Sequence, residues 1–486
     1  MRLSELLREV EFEGSIKNDF DIKFVTDDSR LVRPGTLFVC IRHRSFDGHT
    51  AAAEALASGA AAVVTQERLG LENELNVADS RAAYARLCAA LCGHPERKLR
   101  MIGVTGTNGK TTVTTLIRNI LSDSGIKTLL TGTVCNRLGE ESLPSGLTTP
   151  KPPELYSLLS RAVLSGCEAC VAEASSQALA QGRLEGIAFD AAVFTNITRD
   201  HLDYHGTFEN YLAAKKKLFE HSEVSAVNLD DPRADEIIAA SSGKTVTFST
   251  VLDCADYTAK NISLLPEGVS FELVSKGRIE HINFASPGLF SVSNAMAAAV
   301  CAINLGVDPR SAAQSLARSK GVCGRLERVE CGTPYSVIID YAHTPDGLEQ
   351  VLRALRPSCR GKLIVLFGCG GDRDKTKRPL MGAAACKYAD TVIVTSDNPR
   401  SEEPMKIIGD ILKGTDKKRR GLFIEEDRRR ATALALSLAT PGDTVLLAGK
   451  GHEKYQLICG EKLPLDERET VREILGLPHD TGRKKP

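Results

Sequence analysis

The stretch "GVTGTNGKTT" joins glycines, a lysine and two threonines in the arrangement that phosphate groups require. Gly106 and Gly109 let backbone N–H groups approach phosphate oxygens. Thr107 and Asn108 complete the turn, Lys110 reaches terminal phosphates, and Thr111, followed by Thr112, offers a hydroxyl to Mg²⁺. The strict spacing G-x-x-x-x-G-K-[ST] is not met, because Val104 stands at its first glycine position. Two other stretches supply partners: "AEASSQAL" ends an apolar run at Glu173, and "TNITRDHLDYHG" carries Asn196, Asp200, His201 and Asp203. Carboxylates and an imidazole at adjacent strand ends are expected to converge on a metal bound to phosphates. No N-K-x-D guanine-reading motif occurs, so adenine is the expected base. Farther on, the apolar run "ADTVIV" opens into Asp397, Asn398, Pro399 and Arg400, a charged turn where α/β proteins keep ligand contacts.

These residues need strands and helices to hold them. Up to about residue 98, "TLFVCI" and "GAAAVVT" read as buried strands around the helix "TAAAEALASG", a small α/β unit that "CGHPERKLR" then links onward. From residue 99 to 330, buried strands alternate with helical patterns, the mark of a parallel sheet covered on both faces. Within it "KTVTFST" through "HINFA" changes to two-residue alternation and predicts a small antiparallel insert. From 331 to 486 the alternation resumes, giving a second doubly wound, Rossmann-like unit with a polar, frayed tail "HDTGRKKP". The fold class is α/β in three domains: 1–98, 99–330 and 331–486.

Lys plus Arg and Asp plus Glu are each 62, so no net charge draws the chain to nucleic acid or an anionic membrane. The N-terminus lacks the apolar core of a signal peptide, and a cytoplasmic protein with reduced thiols is expected. Cys167 and Cys170, the only C-x-x-C pair among 14 cysteines, have no second pair at zinc spacing and are assigned to core packing.

"TGTNGKTT", "EASSQALAQGRL", "TNITRDHLDYHGTFENYLAAKKKLF", "SVSNAMAAA", "GRLERV", "IIDYAHTPDGL", "FGCGGDRDKTKRPLMG", "SDNPR" and "AGKGHEKYQ" follow in this order. Together they resemble the Mur ligases, the ATP-dependent amide-forming enzymes of bacterial cell-wall synthesis, and within them the branch that adds the third residue of the stem peptide. The resemblance covers essentially the whole chain. It implies an N-terminal domain for a uridine nucleotide, a central ATPase and a C-terminal domain for the incoming amino acid. It also implies that ATP phosphorylates the D-glutamate γ-carboxylate of UDP-N-acetylmuramoyl-L-alanyl-D-glutamate and that an amine attacks the acyl phosphate. Phosphate leaves readily once its charge is neutralised, whereas hydroxide does not.

Carried over by position, the resemblance puts Lys110 on the β/γ-phosphates, Thr111 and Glu173 on one Mg²⁺, and His201 on a second. Lys215 matches the lysine that the family carbamylates, which would make it a fourth metal-facing group. Asn294, Arg325, Asp340 and His343 are implied for the nucleotide, with cleft closure expected when both domains touch it. Ser29, Arg30, Asp47 and Gly48 are implied for the uridine nucleotide, in a loop that departs from the family pattern at His43. Thr148, Thr149, Ser175, Gln181 and Arg183 are implied for the muramoyl peptide. The third-residue enzymes take either meso-diaminopimelate or L-lysine. Arg400 favours the former, since a guanidinium holds a distal carboxylate and repels a bare ammonium. Asp397, Asn398 and Glu453 are then expected on the distal ammonium, with Arg373, Pro399 and Gly449 completing the set. The partners expected are small molecules only, bound by a monomer. A folylpolyglutamate-type ligase and a catalytically idle nucleotide sensor are the other readings; the N-terminal unit and "DNPR" oppose the first, and the intact Lys110, Thr111, Glu173 and His201 oppose the second.

Overall fold

Three parallel-stranded regions carry the chain, and each exists because runs of β-branched and aliphatic residues need cover on both faces. The computed structural model describes residues 1–43, 46–265, 267–416 and 419–478. The tail expected to fray, and Arg44 and Ser45 of the His43 loop, lie outside the described residues. The first region is a four-stranded parallel sheet in sequential order: Phe24–Thr26, Thr36–Val39, Ala60–Thr65 and Glu74–Asn76. The first and last of these are too short to show a period and escape a pattern-based reading.

The second region is an eleven-stranded sheet. At its centre Arg100–Thr105 lies between Ala169–Glu173 on one side and Phe189–Phe194 on the other, all parallel. The two partner strands are therefore not neighbours of each other, as the sequence led us to expect; they flank the strand that enters the glycine loop. Ile102 and Val104 pack with Val113, Leu116 and Ile117 of the helix Lys110–Asp123 and with Ala295 and Met296 of Leu289–Asn304, all fully buried.

The expected antiparallel insert is only partly that. Lys244–Ser249 runs parallel to Ser222–Asn228, and only Tyr257–Leu265, Gly268–Ser275 and Arg278–Phe284 form antiparallel pairs, which extend the central sheet. Its alternation reflects one-sided burial, Val246 and Phe248 facing the core, and burial on one face says nothing about strand direction. The expected linker is also packed: Pro95–Lys98 is a short 3₁₀ turn with Glu96 buried.

The third sheet has the order Glu327–Arg328, Ser336–Asp340, Thr444–Ala448, Leu363–Phe367, Thr391–Val394, Leu422–Ile424, parallel except at its first strand. A buried arginine locks two of its strand ends. Arg428 donates to the Ala448 carbonyl at 2.8 Å and the Ser396 carbonyl at 3.3 Å, and pairs with Glu467 of the last helix at 2.7 Å, both side chains 1% exposed. Removing one partner strands a buried charge, so Arg428→Ala is expected to cost about 3–5 kcal/mol. The double replacement Arg428→Met with Glu467→Leu should restore most of this, as read by the urea midpoint.

Candidate active site

A helix of 14 residues begins at Lys110, and its first four N–H groups have no intrahelical acceptor. Among the described residues, the amides of Gly109, Lys110, Thr111 and Thr112 donate to no protein group. The loop before them is held from outside. Thr195 Oγ donates to the Asn108 carbonyl at 2.6 Å, Asn196 Oδ1 accepts the Asn108 amide at 3.0 Å, and Thr107 Oγ shares a proton with the Tyr211 hydroxyl at 2.9 Å. A Cβ on Gly106 would lie 1.9 Å from Thr195 Oγ, and one on Gly109 would lie 2.5 Å from Asn294 Oδ1. The loop thus approaches its walls as closely as glycine permits and presents donors to an anion. Lys110 Nζ folds onto the Gly106 and Thr107 carbonyls at 2.8 and 2.9 Å. Burial holds its pKa below the ordinary lysine value.

The carboxylate beside this loop is fully engaged. Glu173 accepts from Thr111 Oγ at 3.0 Å, the Thr133 amide at 2.8 Å and Thr133 Oγ at 2.9 Å, while Arg325 donates to Thr111 Oγ at 3.2 Å. A hydroxyl and a carboxylate in contact beside free amides is a donor set that fits a Mg²⁺ sharing oxygens with bound phosphates. No cluster of three or more His, Cys, Asp or Glu able to hold a metal by itself occurs among the described residues. Across the cleft, Lys215 is 1% exposed and makes no hydrogen bond or ion pair among the described residues; its ammonium sits 4.6 Å from the centre of the Tyr211 ring. Burial first, then Lys110, pushes its pKa well below the usual lysine value. His201, in a left-handed backbone conformation, lies 3.4 Å from Asp200, and the surrounding protein lowers it to about 4, first by desolvation. Asp203 is exposed and does not reach the cleft.

One cavity of about 290 Å³ gathers Gly106 to Thr112, Glu173, His201, Lys215, Asn294, Arg325, Asp340 and His343 with Thr148, Thr149, Ser175 and Arg183. The helix Pro345–Leu355, which follows a strand of the third sheet, reaches the glycine loop directly: its Asp346 accepts from Asn108 Nδ2 at 3.2 Å. Asp340, its pKa raised by burial, accepts the Leu326 and Ala342 amides at 2.7 Å each, so it shapes the wall. Thr149 donates to the Glu173 carbonyl at 2.6 Å, Arg183 donates to the Thr149 carbonyl at 2.7 Å, and Gln181 accepts from Arg183. Ser29, Asp47 and Gly48 stand outside this cavity. Asp47 caps its own turn and accepts from Arg42 and His49, and Arg30 pairs with Asp28.

A second constellation lies at the strand ends of the third sheet, away from that cavity. Gly371 donates to the Asn398 carbonyl at 2.9 Å, and Arg400 donates to the Gly371 carbonyl at 2.7 Å. Half-buried Arg400 and exposed Arg373 converge over Gly370, where a Cβ would meet Arg400 Nη1 at 2.8 Å and Arg373 Cγ at 3.8 Å. Neither guanidinium has a carboxylate partner among the described residues. Glu402 is taken by Arg378 and Lys375, and Glu403 by Lys406. Gly449 brings its backbone close to Asp397; a Cβ there would lie 2.6 Å from Asp397 Oδ2. Lys450, Thr133, Thr195 and Tyr211 were not anticipated. Lys450 alone carried a signal, a lysine between two glycines after a buried strand. Asn398 and Glu453, expected to meet a substrate ammonium, already bind the Lys450 ammonium, at 2.8 and 2.7 Å.

Comparison with known proteins matches residues 21–89 to the Mur ligase family catalytic domain, 104–302 to the Mur ligase middle domain and 324–451 to the Mur ligase glutamate ligase domain. A UDP-N-acetylmuramoyl-L-alanyl-D-glutamate–2,6-diaminopimelate ligase of Syntrophomonas wolfei is 43% identical, over 98% of this chain and 99% of its own. The chain belongs to the Mur ligase family. A solved structure of a ligase with the same name superposes on this Mur ligase with a TM-score of 0.70 and 35% identity, covering 98% of this chain and 99% of that one. Folylpolyglutamate synthase of Mycobacterium tuberculosis, solved with ADP and AMPPCP, shares the fold at 19% identity and TM-score 0.63 over 82% of this chain and 95% of its own.

Two histidines of the Mur ligase pack against the Tyr341 ring, His343 at 4.8 Å and His452 at 5.1 Å between ring centres. Burial lowers His343 to about 4 and His452 to about 3. Both bind a proton more readily when unfolded, near the ordinary pKa of about 6.5, so their contribution is complete above that pH and is lost as pH falls toward 4. The thermal midpoint should drop between pH 6.5 and 4, and His452→Asn should flatten that slope.

Proposed function

We propose that this Mur ligase uses ATP to join meso-diaminopimelate to the D-glutamate γ-carboxylate of UDP-N-acetylmuramoyl-L-alanyl-D-glutamate, in making the cell-wall peptide precursor. The observation that carries the amino acid assignment is the pair Arg373 and Arg400, whose side chains meet over Gly370, whose charges act on one another, and which form no ion pair among the described residues. A distal carboxylate supplies the missing partner. Residues 1–98 hold the uridine nucleotide through Ser29 and the Asp47–Gly48 turn, 99–330 hold ATP, and 331–486 hold the amino acid, with the strand Glu327–Arg328 joining the last unit. The protein acts as a monomer on small-molecule substrates, and no described helix is long and apolar enough to cross a membrane.

The free amides of Gly109 to Thr112 and Lys110 take the phosphates, and Asn294, Arg325 and His343 line the rest of the nucleotide. Mg²⁺, held by Thr111 and Glu173, with His201 and carbamylated Lys215 facing a second ion, would neutralise charge on the transferring phosphoryl group. The γ-carboxylate oxygen, guided past Thr149 and Arg183, attacks the terminal phosphorus and ADP leaves. The amine then attacks the acyl carbon, phosphate departs with the C–O electron pair, and the amine gives up its proton. Closure across the Asn108–Asp346 contact keeps water from the acyl phosphate.

Purified protein should release ADP only when both the UDP-linked dipeptide and diaminopimelate are present; ADP release with L-lysine but not diaminopimelate would refute the amino acid assignment. Arg400→Ala should raise KM for diaminopimelate at least about 100-fold, the scale of a lost charge-assisted pair, with little change in KM for ATP. Lys215 is unpaired among the described residues and buried, and burial favours its uncharged amine, the form that reacts with CO₂. Lys215→Ala should lose activity by about 100-fold or more and recover part of it in short-chain carboxylic acids, and an undiminished variant would remove Lys215 from the mechanism.

A further inference from the structure

Lys450 is fully buried, and its ion pair with Glu453 lies within the amino acid constellation. Its ammonium donates to Asn398 Oδ1 at 2.8 Å and Glu453 Oε2 at 2.7 Å, and lies 3.9 Å from Asp397 Oδ1. Asn398 Oδ1 also accepts the Leu457 amide at 2.9 Å, and Asn398 Nδ2 donates to Glu453 at 2.9 Å. Two donors on one oxygen settle the orientation of the Asn398 amide. The acceptors that would serve a substrate's lone ammonium are thereby occupied by the chain's own.

We propose that Lys450 is a specificity-determining positioning residue that selects an amino acid ending in a carboxylate beside its ammonium over one ending in an ammonium alone. The inference rests on the diaminopimelate reading and deepens it. Arg373, Arg400 and Lys450 stand among Asp397, Glu453 and Asp372, the last held by Ser401, while nearby Arg428 is paired with Glu467. A zwitterionic end brings its carboxylate to Arg373 and Arg400, and its ammonium meets the remaining oxygen of Glu453. A bare ammonium has no carboxylate to offer the two arginines and finds Asn398 Oδ1 and Glu453 Oε2 already taken by Lys450. Removing the Lys450 charge leaves Asp397 and Glu453 without their cation and makes the site more negative, which favours a bare ammonium.

The test compares kcat/KM for meso-diaminopimelate and L-lysine in the full-length enzyme, Lys450→Met and Lys450→Arg, with thermal melting to confirm folding and Lys450→Gln replacing any variant that does not fold. The ratio of the two kcat/KM values should fall about tenfold or more in the neutral variants, with L-lysine gaining relative to diaminopimelate, and should stay near the wild-type ratio in Lys450→Arg. A purely structural lysine would lower both rates together and leave the ratio unchanged, which would overturn the proposal. An equal fall of the ratio in the arginine variant would also overturn it, because charge would then not be its basis. Wild-type enzyme that rejects diaminopimelate would instead overturn the reading of the site on which this inference stands.

Discussion

A phosphate site made of backbone amides has to leave those amides unused, and this requirement organises the centre of the molecule. The free donors at the start of the helix Lys110–Asp123 bring no stability until an anion arrives. Other groups hold the loop in their place. Thr195, Asn196 and Tyr211 grip it, and Asn228 in turn donates to the Thr195 carbonyl at 2.8 Å. The strand that feeds the loop is enclosed by partners on both sides, so Glu173, at the end of one of them, does not shift without disturbing the sheet. Preorganisation of this kind suits phosphoryl transfer, in which the protein contributes position and charge.

The proposed amino acid end is organised by a different balance. There the fold gathers like charges, and carboxylates elsewhere on the same loops are withheld from them. Fully buried Arg378 holds Glu402 and Asp410, so neither is available to Arg400. Burial first, then Arg373, disfavours the charged form of Arg400, a cost that a bound anion offsets.

Much of this was legible before any coordinates. The glycine loop, Glu173, the "SDNPR" turn and the alternation of strand and helix all rest on local patterns with clear physical causes. Short elements were harder. The three-residue strands at Phe24 and Glu74, and the hairpin Tyr455–Ile458 with Glu461–Pro464, carry no period and are set by their neighbours. Asp47 and Asn398 show a second limit. The family resemblance named Asp47 and the charged turn named Asn398 as ligand contacts, whereas the partners each side chain keeps within the fold depend on contacts distant in sequence, such as Lys450 with Asn398. Thr133 gave no signal because one threonine among many has no spacing to read.

Arg325 reaches Thr111 at the floor of the nucleotide cleft, and the amide of the next residue, Leu326, is fastened to Asp340 of the third sheet. One peptide unit therefore belongs to both bodies. A rotation too small to alter the path of the chain is enough to break a 3.2 Å hydrogen bond at the tip of a long side chain. The joint between the sheets is thus a single peptide unit, and the place of Arg325 beside Thr111 depends on where the third sheet holds Leu326.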